Sequence, residues 1–328
     1  MGDMMKVLVF VERKGEKPRK VSLEILSEVQ KLATSAGAVI EAVSVGTASD
    51  TLKSKVLPYV SRLVQISGQG LDNYTAEGFV AAIAAYAQES NPHVILAGAT
   101  NAGRDFFPRL AVALGSGIAS DATEMHLHDD GAVRFVRPLY GGKVLSEVTF
   151  TGSPAIATIR PNSFPIIEPT GRTGESVERT VDVSQAIKTR VIRVEQQTKE
   201  KADLTEADTI VAGGRGMKAA ENFQLLDDLS EIINATVGAS RSVVDAKWRD
   251  QEDQVGKSGK TVSPKLYIAA GISGAVHHIM GMDTSKVIVA INKDPNAIIF
   301  NYADYGIVGD AMEIIPAMIE EFKARMGK

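Results

Sequence analysis

Lys6-Val7-Leu8-Val9-Phe10-Val11 is an almost unbroken apolar run. A strand with one wet face alternates polar and apolar residues, whereas a strand of a parallel sheet covered on both faces reads as continuous aliphatic sequence. After it, Ser22, Leu23, Ile25, Leu26, Val29, Leu32 and Ala33 recur at the spacing of one helix face, and Gly37 stands where a left-handed stop belongs. A second apolar run, AVIEAVSV at 38–45, completes a strand–helix–strand unit, which in a parallel sheet crosses over right-handed.

The alternation continues outward. Residues 49–56 predict a helix, 61–66 a strand, 75–88 a helix, 93–97 a strand and 105–114 a helix. Between Glu124 and Ile159 the runs shorten and alternate, as in Ala132-Val133-Arg134-Phe135-Val136 and Glu147-Val148-Thr149-Phe150, with Gly141-Gly142 as a turn signal. They predict antiparallel strands decorating the first sheet. A charge-dense stretch (Lys199, Glu200, Lys201, Asp203, Glu206, Asp208) suits a domain junction and puts the boundary near residue 203. Beyond it come a strand at 209–212, a helix at 219–233, apolar runs at 266–270, 287–291, 298–300 and 307–308, and a last helix at 311–325. The expected architecture is α/β with two domains, 1–203 and 204–328, each a largely parallel sheet flanked by helices.

Composition agrees and narrows the function. At about 150 residues per domain, 328 residues make roughly two. A hydrophobic content of 44% with 23% charge belongs to a globular chain. Thirty-six Lys and Arg against 40 Asp and Glu leave a net charge of −4, and aromatics are 5% with Trp248 alone of its kind, so neither a basic field nor a stacking platform points to nucleic acid. No cysteine is present, which removes disulfides, thiolate nucleophiles and iron–sulfur ligation, so redox chemistry requires a bound group. No apolar run reaches about 18 residues and the N-terminus has no leader pattern, so neither membrane insertion nor export is expected and the chain reads as cytoplasmic.

Four segments of the C-terminal half gather Gly, Ser, Arg and Asn at strand ends, where open α/β sheets bind ligands. Gly213-Gly214-Arg215-Gly216 follows a strand, so its amides either face a phosphate or merely turn the chain; with Ala219 in place of the third glycine it is not a GxGxxG fingerprint. In Val237-Gly238-Ala239-Ser240-Arg241 the guanidinium either lies against a flat anionic ligand or is solvated. The stretch from Gln254 to Thr261 (QVGKSGKT) imitates a P-loop, but Gln254 stands where its first glycine belongs and the preceding residues are polar, which argues against kinase or ATPase chemistry. Gly271-Ile272-Ser273-Gly274-Ala275 ends a strand and opens a helix, with His277 and His278 following. Adjacent histidines on a helix diverge by about 100°, which disfavours one shared metal.

Together, GGRGMKAAENF (213–223), VGASRSVVDAKW (237–248), QVGKSGKTVSPKLYIAAGISGAVHHIMGM (254–282) and INKDPNAIIFNYADYGIVGD (291–310) resemble the alpha subunit of electron transfer flavoprotein. The N-terminal half fits more loosely, through KVLVFVE, the segment from Gly98 to Arg104 and Arg137-Pro138-Leu139-Tyr140-Gly141-Gly142. The resemblance implies a nucleotide-hydrolase-like Rossmann-type first domain contacting a beta subunit, and a Rossmann-like second domain holding FAD. It implies an electron carrier without substrate turnover of its own. Electrons would pass from acyl-CoA and other dehydrogenases, as in fatty acid beta-oxidation, to a quinone-reducing oxidoreductase through an anionic semiquinone. AMP is a candidate ligand of the beta subunit. A cytoplasmic location follows for a bacterial chain, and the mitochondrial matrix for a eukaryotic one freed of its transit peptide.

The same resemblance assigns cofactor contacts to Arg215, Ser240, Arg241, Gln254, Gly256, Lys257, Ser258, Gly271, Ser273, Gly274, Ala275, His277, His278, Asn292 and Asp310. Arg241, Ser258 and His278 would tune the flavin: Arg241 by Coulomb attraction to its reduced, anionic form, Ser258 by donating to N5, and His278 at the N1 and O2 edge. Ser273 with the amides of Gly274 and Ala275 would take the pyrophosphate, and Asn292 and Asp310 the adenosine half. Lys257 and His277 stand where relatives often carry Gln. Two alternatives stay open: an electron-bifurcating, NADH-dependent version, and a non-redox nucleotide-binding module using ATP or NAD.

Overall fold

The computed structural model describes residues 4–47, 49–140, 142–169, 171, 173–195 and 203–326. It divides into two compact units, Met1–Leu139 with Val144–Gln197, and Tyr140–Lys143 with Thr198–Lys328. Of the junction's charged residues, Lys199, Glu200 and Lys201 lie outside the described residues.

In the first unit β1 (Lys6–Phe10) runs into a small hairpin, β2 (Arg13–Lys14) and β3 (Lys17–Pro18), and then α1 (Lys20–Ala36), which ends at Gly37 with φ 63°. There follow β4 (Val39–Val45), α2 (Asp50–Val56), β5 (Arg62–Ser67), α3 (Ala76–Ser90), β6 (Val94–Gly98) and α4 (Asn101–Ala113). Three of the four helices, α2, α3 and α4, start where a short hydroxyl side chain accepts an orphan amide: Ser49 from Leu52, Thr75 from Gly78, Thr100 from Gly103. Thr100 thereby starts α4 four residues ahead of the expected Asp105.

The unit continues with β7 (Ala119–Ala122), β8 (Glu124–Leu127), β9 (Val133–Leu139), β10 (Val144–Val148), β11 (Ala155–Ile159) and β12 (Glu175–Thr180). Seven of these strands form one parallel sheet in the order β12-β5-β4-β1-β6-β11-β7. The apolar run of β1 explains itself: Val7, Val9 and Val11 enter one buried cluster, under α1, while Leu8 and Phe10 enter the other, under α3 and α4. The antiparallel expectation holds for β8, β9 and β10, which form a separate three-stranded sheet. It fails for 155–159: β11 is parallel and inside the main sheet, because AIATI is buried along its whole length rather than on alternate residues.

The second unit contains β13 (Thr209–Gly213), α5 (Gln224–Ile233), β14 (Thr236–Ala239), α6 (Arg241–Asp245), β15 (Leu266–Ala270), α7 (Val276–Ile279), β16 (Ile288–Asn292), β17 (Tyr305–Val308) and α8 (Ala311–Met326). Its sheet is parallel, in the order β14-β13-β15-β16-β17. One face packs Val211, Ile268, Ala270 and Ile291 against α5 and α8. The other, with Ile210, Ala212, Tyr267 and Ala269, is covered by Val255, Val262, Ile279 and Met282, that is, by irregular chain and one helical turn. The molecule is thus α/β throughout, Rossmann-like, with helix-flanked parallel sheets in both units.

In the second unit two expected helix starts also shift. The one at Ala219 moves to Gln224, because 3₁₀ turns at Arg215–Met217 and Glu221–Phe223 intervene. The one after Gly271 gives only the single turn of α7.

Candidate functional site

From β13 the chain steps to β14 on one side and returns to β15 on the other, so the strand order reverses between β13 and β15. Diverging connections leave a crevice at such a point, outside the carboxyl ends of the strands. A cleft of about 640 Å³ lies there, within the ~300–1,000 Å³ typical of cofactor sites. Gly214 and Gly271, which follow the two strands, both line it.

The glycines are explained by close approach of two backbones. The Gly214 amide donates to the Ala270 carbonyl at 2.9 Å and the Gly216 amide to the Gly271 carbonyl at 3.0 Å. A Cβ on Gly214 would sit 2.2 Å from the Gly271 oxygen, and one on Gly216 2.6 Å from the Gly271 Cα. The Gly214 and Gly216 amides are therefore spent inside the fold, which favours the tight-turn reading of Gly213–Gly216 over the phosphate-facing one. Arg215 instead lays its guanidinium over Trp248, 5.3 Å from the ring centroid.

The loop after β15 behaves differently. Gly271 and Gly274 take positive φ (63° and 86°), and the Ser273 carbonyl is held by the Ile299 amide at 3.1 Å. The amides of Gly274 and Ala275 have no acceptor among the described residues. Backbone donors of this kind suit phosphate oxygens.

On the wall formed by α6, Arg241 is 64% exposed, its Nε 3.4 Å from Asp245. Ser240 and Ser242 share a hydroxyl contact at 3.1 Å. Buried Gln254 donates its amide to the Ser258 hydroxyl oxygen at 3.0 Å, leaving the Ser258 proton to point elsewhere. Gly256 has φ 141° and sits so close to α7 that a Cβ would lie 2.8 Å from the His277 carbonyl. The Lys257 amide donates to that same carbonyl at 2.7 Å.

His278 is 6% exposed. Its Nε2 lies 3.0 Å from the Tyr267 hydroxyl. Burial pushes its pKa down to about 4, against a smaller upward pull from the Val255 backbone, so the ring is neutral at pH 7. Burial also raises the Tyr267 phenol far above its ordinary value.

At the far end, Asn292 donates to the Ile272 carbonyl at 2.9 Å and accepts from the Asp294 amide at 3.0 Å. Asp310 caps α8 through the Met312 amide at 3.0 Å and pairs with Lys218 at 2.6 Å. The Lys218 bond and the helix amide hold its carboxyl below the usual range.

The cleft brings together all the expected contacts except Lys257, whose side chain is exposed outside it, and Gly274, whose neighbours Ser273 and Ala275 line it. Lys218, Asp245 and Lys293 also line the cleft and were not expected; no local motif marks them. Arg215, Lys218, Arg241 and Lys293 stand against Asp245 and Asp310, so the lining carries net positive charge and suits an anionic cofactor. Among the described residues no cluster of His, Asp and Glu could hold a metal.

A positive cleft at the switch point of a parallel sheet defines a nucleotide-cofactor protein. Family comparison makes this specific: residues 7–185 match the electron transfer flavoprotein domain, and 203–283 the electron transfer flavoprotein FAD-binding domain. The chain is 39% identical to an electron transfer flavoprotein subunit alpha of Thermoanaerobacterium thermosaccharolyticum, covering 98% of this chain and 99% of that one. It is 41% identical to the same subunit of Bacillus subtilis, covering 97% of each. A protein named FixB from Azotobacter vinelandii is 38% identical over 99% of this chain and 93% of its own. The chain belongs to the electron transfer flavoprotein family, in its alpha-subunit branch, and its cofactor is a flavin.

Proposed function

We propose that this chain is the alpha half of a heterodimer with a beta subunit. It binds FAD in the cleft of 204–328 and carries electrons from acyl-CoA and other dehydrogenases to a quinone-reducing oxidoreductase, with no substrate turnover of its own. The observation that carries this is the juxtaposition, in one net-positive cleft, of Arg241, Ser258 and buried neutral His278 with the unpaired amides of Gly274 and Ala275. The flavin supplies one- and two-electron chemistry. Ser273 and the two amides hold the pyrophosphate. Ser258, its oxygen occupied by Gln254, would donate a hydrogen bond from its hydroxyl to the flavin N5. His278 would donate an N–H at the N1 and O2 edge, as a neutral hydrogen-bond donor rather than a cation. Arg241 stabilises negative charge on the reduced ring. Asn292 and Asp310 shape the adenosine end, since their side chains already bond within the fold. The first unit contacts the beta subunit, and the complex works in the cytoplasm of a bacterium.

Co-expression with a beta subunit, followed by flavin and nucleotide counting, tests the binding half. A yellow complex absorbing near roughly 450 nm with one FAD is expected; a colourless complex overturns it. Anaerobic bleaching by an acyl-CoA with its dehydrogenase tests the carrier half. Two flavins per complex, reduced directly by NADH, would instead establish the bifurcating version.

A further inference from the structure

Tyr267 projects from the middle of β15 into the apolar cluster of Ile210, Val255, Ile279 and Met282, and is completely buried. A phenol there must place its O–H on an acceptor or leave a buried donor unpaired, which is costly. Among the described residues the only partner of the Tyr267 hydroxyl is His278 Nε2, at 3.0 Å. Two arrangements are open. If the imidazole donated from Nε2, the phenol proton would be stranded in the apolar cluster. If the phenol donates to Nε2, the imidazole proton resides on Nδ1 and every donor on this side is satisfied.

Nδ1 is buried and has no hydrogen-bond partner among the described residues, although the Val255 backbone lies near enough to favour a proton on the ring. With Nε2 tied to the core, Nδ1 is the ring nitrogen left for a ligand of the cleft that His278 lines. We propose that Tyr267 is a positioning residue: its hydroxyl donates to Nε2 of His278, fixing the tautomer that presents Nδ1–H to the cofactor. The phenol also draws electron density from the ring, which makes that N–H a stronger donor toward an acceptor gaining negative charge. The consequence for the flavin rests on the function proposed above; the tautomer itself does not.

Tyr267→Phe removes one oxygen and keeps the ring in its packing. In the chain labelled with ¹⁵N-histidine, the wild type is expected to show a protonated Nδ1 and an unprotonated Nε2 for His278, and Tyr267→Phe to lose that bias in a chain that still melts cooperatively, at a thermal midpoint lowered by the unpaired Nε2. In the flavin-loaded complex Tyr267→Phe should weaken the preference for reduced flavin about tenfold, which is ~30 mV for a two-electron couple. The shift should vanish in a His278→Ala background. A wild-type proton on Nε2, an unaltered tautomer in Tyr267→Phe, or a potential shift that persists without His278 overturns the proposal. A complex without flavin overturns the proposed function, and the tautomer measurement still decides the role of Tyr267.

Discussion

Arg241 and His278 line the same cleft in opposite settings, one exposed and one buried. Arg241 is a permanent charge in a largely solvated position, tempered by Asp245 one helical turn away. Arg241→Ala should lower the flavin potential by an amount on the order of tens of millivolts, and Asp245→Asn should raise it; redox titrations that leave both unmoved would remove the charge role. His278, in the proposed function, would contribute a directed N–H and no charge, because burial outweighs its tendency to ionise. That has a thermodynamic sign. The unfolded chain binds a proton below about 6.5 that the folded ring refuses until about 4. Stability from this group is therefore complete above pH 6.5 and lost as pH falls toward 4, on the order of 2 kcal/mol between pH 7 and pH 5. Denaturant titrations of the flavin-free chain should show that slope, and His278→Gln should flatten it.

Between elements, the decisive contact is the crossing of the turns after β13 and β15, where glycine backbones touch. Gly216→Ala pushes a methyl to 2.6 Å from the Gly271 Cα, so the turns must part. We expect a loss of about 1–3 kcal/mol together with weakened flavin retention, checked by thermal melts and flavin release. Elements whose burial follows from their own residues were legible in the sequence: β1 and β15 as apolar runs, α1 with its Gly37 stop. Those decided by neighbours were not. The strand β12 reads ESVERT because it is an edge whose Glu175 and Glu178 meet Arg62 and Lys53 from outside. The four-residue β14 is too short to show a period. The site divides likewise. Strand-end Gly, Ser and Arg clusters located the cleft, whereas the pairs that set its chemistry join distant positions, Lys218 to Asp310 and Tyr267 to His278, and become visible only once the sheet is assembled.

At the scale of the molecule, two parallel sheets of similar build meet different fates at their switch points. In the first unit the order reverses between β1 and β6. There Glu12, just past β1, pairs with Arg19 at 2.8 Å and accepts from Thr100, the residue that caps α4. A carboxylate thus takes the place at a helix start where a phosphate would otherwise be drawn. In the second unit the crevice stays open and net positive. Added FAD should slow amide exchange in β13, β15 and the 271–275 loop and leave β1 and β6 unchanged; protection of both sheets would contradict that division. The internal ligand of the first crevice also bears on survival in the cell. A chain waiting for flavin should keep its first half closed by its own side chains, while the second half should open more often and meet proteases. Scarcity of the vitamin precursor would then appear as a clipped chain retaining the first unit, and turnover of this protein would follow its supply of flavin.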